Sequence, residues 1–213
     1  YTVRDEWGER AEGAATVSIT VTRRGGRAGF ADMSGSVFEG AALRVSDAGI
    51  MGGTEVGGKV YFYPDQTVSR SEFIVMAMTA AGISDLPACS ATVFADDGDI
   101  PASAKPYIGA AYKLGICDGW IKDGKQCFLP DEAVSVAEAA VITAGLLEIK
   151  TDGATAAWCD DGGVPAWASA GFGTMKAAGF VGTVPASGAR SGLDRRTCAV
   201  LMAAIMRYSA AKK

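Results

Sequence analysis

Two short runs in this chain place an arginine where a helix should begin. Ser69-Arg70-Ser71-Glu72 and Leu193-Asp194-Arg195-Arg196-Thr197 each lead into a long apolar stretch. A serine with a glutamate three residues on is a capping box, in which both side chains satisfy backbone donors at a helix start. Ser135-Val136-Ala137-Glu138 carries the same box, and Asp194 is a good N-cap. Capping accounts for the serines, glutamates and aspartate. It does not account for Arg70 and Arg195, because a cation in the first turn opposes the helix dipole. Two readings stay open on these residues alone. An arginine fork beside free helix N–H groups is a receptor for a carboxylate or phosphate. Alternatively, the arginine pairs with a nearby carboxylate such as Asp65 or Glu72.

Other chemistries are largely excluded. The 213 residues contain no histidine, which removes every His-based triad, general base and metal ligand. No carboxylates are paired in the way a glycosidase needs, so no enzymatic activity and no cofactor are expected. With 24 acidic against 20 basic residues and a net charge of −4, the chain lacks the basic excess of a nucleic-acid binder. Asp96-Asp97-Gly98-Asp99 and Asp160-Asp161-Gly162 lack the alternating ligands and terminal glutamate of a calcium loop, and helix-entry turns explain them better. None of the five cysteines sits in a CxxC pair, so a zinc site is poorly supported. Cys117 and Cys127 bracket a short loop where a local disulfide is conceivable in an oxidising compartment. Cys198 falls on an apolar helix and reads as a packed core thiol.

The elements that must position these arginines repeat. Phe30-Ala31-Asp32, Phe94-Ala95-Asp96 and Trp158-Cys159-Asp160 each open a segment whose first helix ends at a glycine: Gly49, Gly115 and Gly179. These glycines are spaced 66 and 64 residues apart, and glycine just past a helix is the usual left-handed stop. Phe62-Tyr63-Pro64-Asp65 then aligns without a gap on Phe128-Leu129-Pro130-Asp131. The third copy is worn, with a shorter loop and no Pro-Asp. Second helices are expected over Glu72 to Ala81, Glu138 to Leu147 and Thr197 to Tyr208. They are apolar on nearly every face and too short to span a membrane, so each must be buried among protein. Three such helices satisfy one another best as a central bundle, with the amphipathic first helices outside it.

Residues 1–24 differ. Tyr1-Thr2-Val3-Arg4 and Ala15-Thr16-Val17-Ser18-Ile19-Thr20-Val21 alternate as strands do, around a polar turn. This hairpin resembles the last one of a bacterial Ig-like or cadherin-like repeat. No signal peptide is visible at Tyr1, and the chain is expected to be a piece of a longer or processed protein.

The ordered set of aromatic-x-Asp, helix ending in Gly-Ile, Phe-x-Pro-Asp loop and Ser/Thr-Arg-x-Glu before an apolar helix resembles the S-layer homology (SLH) domain. The resemblance implies three tandem repeats, over 28–88, 89–152 and 153–213. It implies an all-α fold: a three-pronged spindle around a central three-helix bundle, preceded by the short N-terminal β-hairpin. It further implies non-covalent anchoring of a surface protein to the bacterial cell wall, through secondary cell-wall polysaccharide bearing anionic, pyruvylated sugars. Nucleic acid and membrane insertion are not expected; lattice contacts with other surface proteins are. Carried over by position, Arg70 and Arg195 match the family's ligand-binding arginine. Glu72 completes the motif, and Asp32, Asp96 and Asp160 match its early aspartate, for which a turn or cap is the alternative. Trp167 matches the aromatic that begins the first helix, either stacking on a sugar or packing in its prong; Val37 and Ser103 stand there in the other copies. Val136 replaces the arginine of repeat two, and Thr197 the glutamate of repeat three. A self-assembly module with decayed sugar sites is the alternative function.

Overall fold

A computed structural model describes residues 29–149, 163–180 and 188–212. The strand pair expected within residues 1–24, together with Trp158, Cys159 and Asp160, lies outside the described residues. Among the described residues there are six α-helices: α1 (Glu39–Asp47), α2 (Arg70–Ala80), α3 (Lys105–Lys113), α4 (Val136–Leu146), α5 (Ser169–Ala177) and α6 (Arg195–Ala211). The three apolar helices start two residues earlier than expected, because the cap residue, and not the glutamate, marks the boundary. Ser69 and Ser135 each accept a hydrogen bond from the glutamate backbone N–H and receive the glutamate carboxylate in return. Asp194 Oδ1 accepts from Thr197 N at 2.8 Å. The first helices stop at Gly49, Gly115 and Gly179, with φ of +70°, +67° and +80°.

The described residues are mostly helical, as expected, with one addition. Two short antiparallel hairpins, β1 (Thr54–Val56) with β2 (Lys59–Tyr61) and β3 (Trp120–Lys122) with β4 (Lys125–Cys127), stand between the helices. Each turns on two residues with positive φ, Gly57-Gly58 and Asp123-Gly124, the geometry that two-residue hairpins favour. Strands of three residues bury too little to form alone, and the fold supplies the rest. A Cβ on Gly119 would lie 2.6 Å from the Phe94 ring and 2.5 Å from Cys127 O, so the second hairpin is pressed onto the core where only glycine fits.

The apolar helices pack together as their composition requires. α2 contacts both α4 and α6, while the outer helices are passed along: α1 lies on α6, α3 on α2 and α5 on α4. Phe73, Ile74, Ala139, Ala140, Cys198, Leu201 and Met202 are buried between them. Just before these helices, three backbone hydrogen bonds close a cycle. Val68 N donates to Leu193 O (2.9 Å), Leu193 N to Val134 O (2.8 Å), and Val134 N to Val68 O (2.9 Å). The entry segments of α2, α4 and α6 are therefore tied to one another directly. No helix among the described residues is long and apolar enough to cross a membrane.

Candidate functional site

The first N–H groups of the apolar helices are already in use, so of the two readings left open the one that needs free helix N–H groups does not hold for them. Arg70 N donates to Glu132 O and Ser71 N to Pro130 O, at 2.9 and 3.1 Å. Arg195 N and Arg196 N donate to Gln66 O and Pro64 O, at 2.8 and 3.1 Å. Buried helix ends require partners, and here the loop of a neighbouring segment supplies them. What remains available is the arginine side chain.

Each arginine leaves its own helix and enters a groove built by another part of the chain. Arg70 Nε donates to Phe128 O at 2.8 Å, and its guanidinium lies 5.1 Å from the Phe128 ring centroid. Its Nη1 forms a salt bridge with Glu138 Oε1. Arg70 is buried and Glu138 nearly so, and Asp65 and Glu72 play no part in the pair. The same Glu138 oxygen accepts from Trp120 Nε1 at 3.1 Å, while Oε2 takes Ser135 N at 2.8 Å. Arg195 repeats the first half of this arrangement. Its Nε donates to Phe62 O at 2.8 Å over the Phe62 ring, and its Nη2 donates to Gly52 O at 2.6 Å. Among the described residues Arg195 makes no ion pair.

These contacts define two grooves of about 350 and 340 Å³. The larger is lined by Arg70, Cys117, Asp118, Trp120, Glu138 and Trp167 among others. Trp167 sits in a 3₁₀ turn over Ala166–Ala168, just before α5. Its ring stands at 88° to that of Trp120 with centroids 6.4 Å apart, and both rings are about half exposed. The smaller groove is lined by Gly52, Glu72, Ser103 and Arg195 among others. Glu72 is exposed, with Oε2 accepting from Ser69 N at 2.9 Å.

The early aspartates face elsewhere. Asp32 accepts from Phe62 N and Tyr63 N at 2.8 and 2.7 Å, and Asp96 accepts from Phe128 N and Leu129 N at 2.8 and 2.7 Å. These are neither local turns nor groove contacts; each ties down a loop some thirty residues later. The tied residues need it, because Tyr63 and Leu129 adopt φ of +56° and +60°, a strained region for such side chains. In the third loop the position is held by Gly188, at φ +84°, and Asp160 lies outside the described residues. Asp97 instead holds its own turn, binding Lys105 Nζ at 2.6 Å and Thr92 N at 2.6 Å. Cys117 and Cys127 are separate buried thiols, and burial pushes the Cys117 thiol up to about 11.

With this geometry in place, comparison with known families becomes informative. Residues 29–74 match the family model of the S-layer homology domain. That span runs from Phe30 through α1 and the first hairpin into α2, and so includes Asp32, Arg70 and Glu72. SLH domains are cell-wall anchoring modules that bind secondary cell-wall polymers. No curated protein matches the chain. The SLH match stops short of Trp120, Glu138 and Arg195, whose placement comes from the structure. Sequence reading missed Trp120 altogether. Its signal was the Asp123-Gly124 turn, which marks a hairpin and puts Trp120 on an exposed strand beside the groove.

Proposed function

We propose that the chain is a non-catalytic cell-wall anchoring module that holds an anionic, pyruvylated wall polysaccharide in the two grooves. The whole of residues 28–213 then acts as three SLH repeats, set as prongs around α2, α4 and α6. The observation that carries this reading is the delivery of Arg195 into an open groove, where it makes no ion pair among the described residues although Glu72 also lines the groove. A guanidinium placed in this way is suited to one acidic group on a polymer, despite the net negative charge of the protein. On this reading the module retains its polymer and leaves it intact.

The test is co-sedimentation of the whole chain with purified sacculi, before and after extraction of the non-peptidoglycan polymer. Binding is expected to intact sacculi and to be lost after extraction. Equal binding to both would overturn the reading.

A second reading, self-assembly into a surface layer with decayed sugar sites, is favoured by Val136 standing where the other two helices carry arginine. It requires concentration-dependent assembly without any polymer, measured by analytical ultracentrifugation.

A further inference from the structure

The two grooves share a plan but differ in charge. Both receive an arginine that bonds to a phenylalanine carbonyl over that residue's ring. In the larger groove Glu138 cancels the arginine internally. Asp118 then adds an acidic side chain to the lining, where the smaller groove has Gly52. Trp120 and Trp167 wall the larger groove; Thr54 and Ser103 hold the matching sequence positions for the smaller one. The larger groove thus presents two half-exposed indoles, a neutralised cation and a spare carboxylate. The smaller one presents an arginine outside any ion pair among the described residues, one carboxylate (Glu72, bonded to Ser69 N) against the larger groove's two, and no indole.

An acidic sugar substituent entering the larger groove would meet Asp118 and gain little from Arg70, whose charge is already spent. A neutral sugar ring fits that lining. Its C–H face can lie on an indole, and its hydroxyls can donate to the carboxylates. Building on the anchoring reading, we infer that the larger groove takes a neutral sugar residue of the wall polymer and the smaller groove takes its acidic group. The two sites divide one ligand by chemistry and do not bind two copies of the same epitope.

The division is tested by calorimetric titration of the whole chain with wall polysaccharide, intact or stripped of its ketals by mild acid. Wild type is expected to bind both forms and to prefer the intact one. Trp120→Ala and Trp167→Ala should each weaken binding to both forms by roughly tenfold, as truncating an aromatic anchor does, leaving the preference unchanged. Arg195→Gln should weaken binding to the intact form only, bringing the ratio close to one. Because both tryptophans are half exposed, unchanged unfolding midpoints serve as the folding control. If the tryptophan variants lose only the intact polymer, or Arg195→Gln weakens both forms equally, the division is wrong while anchoring stands. A wild-type chain that binds neither form overturns both readings.

Discussion

Glu138 closes a salt bridge on Arg70, a residue 68 positions earlier in the chain. The glutamate of one capping box thereby neutralises the arginine that follows the serine of another. One carboxylate caps α4 through Ser135, orients Trp120 and holds the base of the larger groove.

Removing one partner of that pair should be costly. Both side chains are nearly buried, 7% and 12% exposed, and breaking a buried pair leaves an uncompensated charge worth about 3–5 kcal/mol. Arg70→Ala is therefore expected to lower the urea unfolding midpoint strongly. Glu72→Ala should lower it less, because its exposed carboxylate makes a cap contact and no salt bridge. Equal losses in the two variants would contradict the arrangement.

The aspartate ties make a separate claim on stability. Asp32→Ala and Asp96→Ala each remove two charge-assisted hydrogen bonds from a strained loop, a loss of about 2–3 kcal/mol by denaturant titration. Tyr63→Gly and Leu129→Gly, which relax the backbone at the tied residue, should recover part of that loss when combined with the matching aspartate variant. No recovery would mean that the carboxylates do not restrain these positions.

Acid should weaken the loop leading to α3. The hydrogen bond from Lys105, helped by the Thr92 backbone and hydroxyl, lowers the Asp97 carboxyl to about 2 from 3.8. A carboxyl depressed on folding stabilises the folded state above its unfolded value, and that contribution is lost as pH falls from about 4 to 2. Asp97→Asn should therefore flatten the pH dependence of the unfolding midpoint across that window. An unchanged acid limb would show that the Lys105 contact does not form in solution.

Thiol chemistry should sort the cysteines by burial. Cys89 is half-buried, whereas Cys117 and Cys198 are buried and their thiols are raised by desolvation. Alkylation of the folded chain at pH 8, mapped by mass spectrometry, should label Cys89 first and reach Cys117 and Cys198 only on unfolding. Early labelling of Cys198 would place it outside the core.

Much of this fold is legible locally. Capping boxes, glycine stops and all-round apolar runs are short-range signals, and they located α2, α4, α6 and the ends of the outer helices. The partners of Arg70 and Asp32 were not legible in the same way. A search for carboxylates near Arg70 in sequence finds Asp65 and Glu72, yet the side chain crosses to a groove formed more than forty residues later. Asp32 looks like a local turn residue because its partners, Phe62 N and Tyr63 N, are backbone groups that no residue type advertises. The hairpins escaped notice for another reason. Three-residue strands show no alternation to detect, and only Gly57-Gly58 and Asp123-Gly124 betray them. Trp120 was lost with them.

The cycle of hydrogen bonds through Val68, Leu193 and Val134 has a consequence for how the molecule comes into being. Like the keystone of an arch, the stretch around Leu193 arrives late and is leaned on by what was laid down first. Val68 and Arg70 lie in the first half of the chain, but Val68 N has no acceptor until Leu193 is in place. The groove facing Gly52 likewise has no cation until Arg195 follows. A nascent chain carries the groove at Gly52 unfinished until the residues around Leu193 and Arg195 have emerged. Grip and structural closure are completed within three residues of each other.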